Sequence, residues 1–284
     1  ASATPAPARL STGDPAVMDF FALLQSVLLG LVEGLTEFLP ISSTGHLIIA
    51  GDLLAYTGEQ AKTFEVCIQL GAILAVCWHY RERLRRVVAT LGNEERSRRF
   101  VTNLVIAVLP SALCGLLLHG LIKAHLFNPV VVALALIVGG LVIFLVERRQ
   151  REPRITEVDD MDWRDALKLG VAQVFSLIPG TSRSGATIIG GLLTGLSRKA
   201  ATEFSFFLAI PTMFLATGFD LFMSRDHLSP SDLPFFAVGF VTAFFSALLA
   251  IKGLLRYVAR HDFRAFAWYR IVFGLIALVY FYPL

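Results

Sequence analysis

Two carboxylates, a histidine and an arginine stand in otherwise apolar sequence, each beside hydroxyl residues and glycine. Glu33 and Glu37 are four residues apart in Glu-Gly-Leu-Thr-Glu, which puts them on one face of a helix. Such a pair repels unless a cation, a proton or a basic group compensates it, and each carboxylate costs about 2.5 to 3.5 kcal/mol if left in lipid. It reads as a metal-binding or general-base pair facing a wet cavity, or else as a helix end solvated at the interface. His46 follows in Ser42-Ser43-Thr44-Gly45-His46. With a turn between, its imidazole can face Glu37, and a histidine so held serves as acid, base or nucleophile. The bland alternative is that Ser42 or Ser43 caps a returning helix and His46 is incidental. Arg183 lies among Ser182, Ser184, Gly185 and Thr187. Its guanidinium offers planar donors suited to phosphate oxygens, and hydroxyls at a helix start add more. Alternatively Arg183 pairs with Glu33 or Glu37 for packing alone, which would still mark the place where the two motifs meet.

These two polar segments are copies. Aligned without gaps, Leu39 to Leu54 and Ile178 to Leu193 pair Pro40 with Pro179, Ser43 with Ser182, Ile49 with Ile188, Gly51 with Gly190, Leu53 with Leu192 and Leu54 with Leu193. Further on, Ile137 to Val146 resembles Ile271 to Tyr280, and Glu65 and Glu203 hold matching places after each motif. Chance likeness between apolar segments is the competing explanation. Residues 18–150 and 151–284 then form two halves, each a hairpin arm, a polar motif with its return arm, and three spanning helices. Three is odd, so the second half is expected upside down relative to the first. Residues 1–17, rich in Ala, Pro, Ser and Thr, read as a disordered or appended leader.

The positioning elements follow from composition. Hydrophobic residues make up 55% and charged residues 17% of the 284, with mean hydropathy +0.67, which favours a membrane protein over any soluble fold. Apolar stretches long enough to span a bilayer lie at about 64–80, 101–122, 129–146, 204–223, 234–255 and 267–283. Segments 19–39 and 165–178 run into the polar motifs instead of into loops, so each reads as one arm of a re-entrant hairpin; broken backbone at membrane depth survives only inside protein or beside water. The fold class is all-α, polytopic, with an inverted repeat, two re-entrant hairpins and about six full spans.

Charge sets the orientation. Arginine and lysine crowd 81–99, 148–168, 198–199 and 252–264, whereas the opposite side keeps Lys62, Lys123 and Arg225, plus Arg9 of the leader. By the positive-inside rule the crowded side is cytoplasmic, and the net charge of +3 is a topological signal and no sign of nucleic acid. The two hairpins would then enter from opposite sides, their tips meeting near the midplane. Cys67, Cys77 and Cys114 all fall in apolar spans, the first two about 15 Å apart along one helix, too far to bridge. No P-loop and no cysteine-phosphatase loop is present. His79, His119, His125, His227 and His261 fall at helix ends or loops and show no metal-ligand spacing.

Glu-Gly-Leu-Thr-Glu-Phe-Leu-Pro-Ile-Ser-Ser-Thr-Gly-His and Pro-Gly-Thr-Ser-Arg-Ser-Gly-Ala-Thr, with Lys62 to Val76 between them, resemble the undecaprenyl pyrophosphate phosphatase family of bacterial bacitracin-resistance phosphatases, from about Met18 to the C-terminus. The resemblance implies hydrolysis of undecaprenyl pyrophosphate to the monophosphate carrier of cell-wall synthesis, a multi-pass protein of the bacterial inner membrane, a site open to the periplasm, and a divalent cation, Mg or Ca. It carries over Glu33, Glu37, Ser43, His46 and Arg183 as the essential set. The phosphatidic acid phosphatase type shares a Ser-Gly-His-like loop and a Ser-Arg pair, but its second histidine is absent after Arg183. We expect Glu33 and Glu37 to hold the cation. Ser42, Thr44, Ser182, Arg183, Ser184 and Thr187 would bind the phosphates, and Ser43 or a water would attack while His46 and Glu37 exchange protons. The partners expected are the isoprenoid pyrophosphate and membrane lipid; Gly139 and Gly140 would serve homodimer contacts or internal packing. A lipid-carrier flippase or transporter is the alternative, because inverted repeats with broken helices suit alternating access.

Overall fold

The computed structural model describes residues 20–126, 128–149, 152–224 and 232–281. The leader at 1–17, Arg225 and His227 lie outside them. The described residues are almost entirely helical: α1 (Phe20–Thr36), α2 (Ser43–Leu53), α3 (Glu59–His79), α4 (Arg81–Thr90), α5 (Glu95–His125), α6 (Pro129–Arg148), α7 (Trp163–Val174), α8 (Arg183–Thr194), α9 (Arg198–Ser224), α10 (Leu233–Val258) and α11 (Arg264–Phe281). No strand occurs among them; one isolated bridge joins Ile155 to Leu196.

Six helices, α3, α5, α6, α9, α10 and α11, are long and apolar enough to cross a membrane, each matching an apolar stretch of the sequence. Their outward faces expose Leu116, Leu117, Leu249 and Ile276, a surface that acyl chains cover and water would not tolerate. The protein is a multi-pass membrane protein. The basic segment 81–99, which falls between the apolar stretches, contains α4. Its Arg-Glu-Arg-Leu-Arg-Arg start consists of good helix formers, whose charge hides them from a search for apolar stretches.

Packing repeats across the chain. α1 lies on α10 and α7 lies on α5, while α6 pairs with α11 and α3 with α9. The α1–α10 contact is a backbone contact: a side chain at Gly30 would strike the carbonyl of Gly239. Both polar motifs turn through a serine at φ 72°, Ser42 before α2 and Ser182 before α8. The helix starts therefore correct the register read from the sequence. Ser182 corresponds to Ser42, not to Ser43, because the second turn carries one more residue between its proline and its cap. Under that register Ser43 and Arg183 are the first helical residues of their arms.

The basic segments meet at one end of the bundle. Asp159 pairs with Arg83 at 2.8 Å and with Arg96 at 2.7 Å, and its carbonyl accepts from Arg99. Nearby, the buried Glu147 at the end of α6 accepts from Arg198 at 3.1 and 2.8 Å and from the backbone N–H of Phe263 at 2.9 Å. These bonds tie the α10–α11 turn to the start of α9. Arg154 spans Asp165 of α7 and the Thr194 carbonyl at the end of α8, so the open end of that helix pair sits beside the same segment. At the open end of the other pair, Gln25 of α1 donates to the Leu54 carbonyl, and Asp52 of α2 accepts from Tyr280, near the far end of α11.

Candidate active site

The two turns touch. Ser184 Oγ donates to the Leu39 carbonyl at 2.8 Å, Ser182 Oγ lies 3.5 Å from the same oxygen, and the two hydroxyls are 3.0 Å apart. Ser182 also accepts the backbone N–H of Gly185 at 3.1 Å, an ordinary N-cap. The first turn differs, since Ser42 makes no side-chain cap. Ser43 does not cap either: its Oγ donates to Glu37 Oε2 at 2.5 Å.

Glu37 is the junction of the site. Its Oε1 accepts from Arg183 Nη2 at 3.1 Å, so one carboxylate joins the first residue of α2 to the first residue of α8. Arg183 is held further by the Ser205 carbonyl at 2.9 Å and the Ser205 hydroxyl at 3.3 Å. Thr187 lies behind it, with Oγ1 2.6 Å from Ser205 Oγ and donating to carbonyls of its own helix. In this geometry Thr187 supports the guanidinium. The Nε of Arg183 is buried without a partner, a donor left for an incoming acceptor. Glu33 is one turn earlier on α1, 1% exposed, with Oε1 lacking any hydrogen bond. A buried carboxylate oxygen without a donor is costly, and a cation is one way to satisfy it.

Other expected residues stand at the edge of this group. Thr44 is exposed, and no hydrogen bond joins it to Glu37 or Arg183 among the described residues. His46 does not turn toward Glu37. Its Nδ1 meets the Ser42 carbonyl at 2.7 Å, its Nε2 meets the Tyr269 hydroxyl at 2.7 Å, and its ring stacks on Phe273 at 4.1 Å. A carbonyl can only accept, so Nδ1 carries the proton and Nε2 is the nitrogen that exchanges one. The cause is helical geometry: His46 lies four residues past Ser42 and leans over the helix start toward α11.

Several residues of this site escape sequence reasoning. Ser205, Tyr269, Phe273 and Arg270 all lie inside long spanning helices, where each looks like an isolated residue of an apolar run. Arg270 alone carried a signal, as a charge inside a spanning segment. Gly139 and Gly140 face inward, since side chains there would strike the Arg270 guanidinium and the Ala267 carbonyl of α11. They take the internal-packing alternative. The divalent cation finds two carboxylates here and no larger set, because no cluster of three or more His, Cys, Asp or Glu occurs among the described residues. Both oxygens of Glu37 are engaged and Glu33 has one free. That donor set suits a hard cation whose remaining ligands are substrate phosphate and water.

An all-helical membrane protein whose buried polar group offers carboxylate, hydroxyl and guanidinium at one junction is built to receive an anionic headgroup on a lipid. Residues 26–276 match the family described as bacitracin resistance protein BacA. The chain belongs to that family. Similar proteins include the undecaprenyl-diphosphatase of Nitrosospira multiformis, 62% identical over 92% of this chain and 96% of that protein. That of Methylococcus capsulatus is 61% identical over 90% and 93%. Undecaprenyl-diphosphatase 2 of Rhodospirillum rubrum is 63% identical over 92% and 96%. These names are those of phosphatases, and they lend no support to the flippase alternative.

Proposed function

We propose that this protein hydrolyses undecaprenyl pyrophosphate to undecaprenyl phosphate and inorganic phosphate, returning the lipid carrier to cell-wall synthesis and thereby giving bacitracin resistance. The observation that carries the reading is Glu37, which joins Ser43 to Arg183 across the two turns. Ser43 Oγ attacks the terminal phosphorus while its proton passes to Glu37 Oε2. The phosphoanhydride P–O bond breaks, and undecaprenyl phosphate leaves with the electron pair. Glu37 passes that proton to the oxygen of the departing undecaprenyl phosphate and is a carboxylate again. Water then attacks the phosphoserine, Glu37 takes a proton from that water, and the same proton passes to Ser43 Oγ as the Oγ–P bond breaks and phosphate departs. Arg183 shifts from Glu37 toward the phosphate oxygens, with Ser182 and Ser184 beside it.

Glu33 and Glu37 would hold the divalent cation, which when bound supplies charge neutralisation at the pyrophosphate. His46, with Nε2 as its exchanging nitrogen, serves the leaving group or the water from the Tyr269 side. The matching of α1 on α10 with α7 on α5, and the serine at φ 72° before each return arm, support a reading of the fold as two inverted halves with re-entrant hairpins. The basic end of the bundle then faces the cytoplasm, and the membrane is the bacterial inner membrane with the site opening to the periplasm. Phosphate release from undecaprenyl pyrophosphate by purified protein tests the activity, and none from the wild type would end the reading. Trapping of phosphate on Ser43 tests the mechanism; inversion at phosphorus excludes the covalent step and leaves water as nucleophile.

A further inference from the structure

Arg270 sits in the first half of α11 with no exposed surface, and among the described residues no carboxylate pairs with it. All five of its N–H groups are used on backbone carbonyls. Nη1 donates to Pro40 at 3.1 Å and Thr181 at 2.9 Å, and Nη2 to Gly180 at 3.1 Å and Ala135 at 3.1 Å, while Nε donates to Leu136 at 3.2 Å. Pro40 belongs to the first turn, Gly180 and Thr181 to the second, and Ala135 and Leu136 to α6. One side chain thus holds three segments of the chain at once.

The placement relative to strain gives these bonds a purpose. Ser42 and Ser182, at φ 72°, occupy a region that non-glycine residues rarely adopt and that costs about 1 to 3 kcal/mol each unless the surroundings fix it. Each lies within two residues of a carbonyl that Arg270 holds, and each immediately precedes Ser43 or Arg183. Gly139 leaves the backbone of α6 open to the guanidinium, because any side chain there would occupy its place. A planar fork with five fixed donors suits this task; an ammonium with three rotatable donors does not.

We propose that Arg270 is a positioning residue for phosphate hydrolysis, a cross-tie that sets the separation and orientation of the two turns and hence of Ser43 against Arg183. This rests on the assignment of those two residues under Proposed function. The test compares Arg270→Lys, Gly139→Ala and Arg183→Lys in purified, monodisperse protein with undecaprenyl pyrophosphate as substrate. A merely structural role lowers the number of active molecules, which reduces apparent kcat and leaves KM unchanged. A positioning role alters every site, so Arg270→Lys should raise KM at least fivefold and lower kcat at least tenfold. Gly139→Ala, which displaces the guanidinium but keeps its charge and donors, should move KM in the same direction. KM within twofold of wild type in Arg270→Lys overturns the inference. Should that variant fail to fold, an unchanged KM in Gly139→Ala overturns it equally. Near-normal kinetics in Arg183→Lys would instead refute the site assignment.

Discussion

Replacing Glu37 with Gln keeps the shape of the side chain and removes its charge, and the structure fixes what is lost. The carboxylate accepts from Ser43 at 2.5 Å and from Arg183 at 3.1 Å. An amide has one acceptor oxygen, so either Ser43 loses the oxygen that takes its proton or Arg183 faces an NH2 group. Hydrogen bonds to charged groups contribute about 1.5–3 kcal/mol each, and leaving Arg183 buried without its counterion costs about 3–5 kcal/mol of stability. Loss of a general base lowers turnover about 10²–10⁴-fold. Glu37→Gln should therefore reduce phosphate release at least a hundredfold and lower the thermal unfolding temperature in detergent. The decisive assay adds the same change to Ser43→Ala. With no serine proton to accept, Glu37→Gln should lower the residual rate well under a hundredfold, what remains being its part toward water, cation and Arg183, as for residues acting as one unit. A single variant within threefold of wild type, or a full hundredfold loss on top of Ser43→Ala, would refute the assignment of Glu37 as the base for Ser43.

Glu33→Gln should weaken the response of activity to added Mg or Ca without unfolding the protein, read by titrating each ion into chelator-treated enzyme; an unchanged titration rejects Glu33 as a cation ligand. Glu147→Ala leaves the buried Phe263 N–H without its acceptor and takes the carboxylate from half-buried Arg198, and should cost about 1–3 kcal/mol, with Glu147→Gln milder, measured by thermal unfolding. At the start of α7 the backbone N–H of Asp165 holds the Asp162 carboxyl below its usual range. That cap stabilises the fold above the carboxylate range and is lost as pH falls through the lowered value. Asp162→Asn should therefore flatten the acid side of the stability profile, and a profile identical to wild type would contradict the cap.

Much of this architecture was legible because membrane physics writes it plainly. Glu37 and Arg183 were visible as charges that an apolar setting makes expensive, and their mutual pairing was one of the alternatives that setting allowed. The register of the repeat was not legible. Gapless alignment rewards identities along α2 and α8 and cannot see that Gly180 lengthens the second turn. The imidazole was misdirected for a related reason: spacing along the chain brought His46 near Glu37, while the helix turned it toward Tyr269. Ser205 holds Arg183 in part through its own backbone carbonyl, which every residue possesses, and Arg270, visible as a charge in a spanning helix, grips backbone carbonyls that no pattern of side-chain types announces.

The placement of Arg270 in the last helix has a bearing on how the protein is made. Glu33, Glu37, Ser43 and His46 leave the ribosome early and Arg183 follows past the midpoint, yet the side chain that fastens Pro40 to Gly180 and Thr181 emerges only near the end. Synthesis of a chain at about 5–20 residues per second leaves the first motif waiting for seconds, in the membrane, before its fastening exists. A chain that stops before α11 contains each of those five residues, and the Glu37–Arg183 and Ser184–Leu39 bonds between the turns, and lacks the side chain proposed to set their separation. Under the proposed cross-tie, hydrolytic competence waits for α11 to be made and inserted, long after the residues that react.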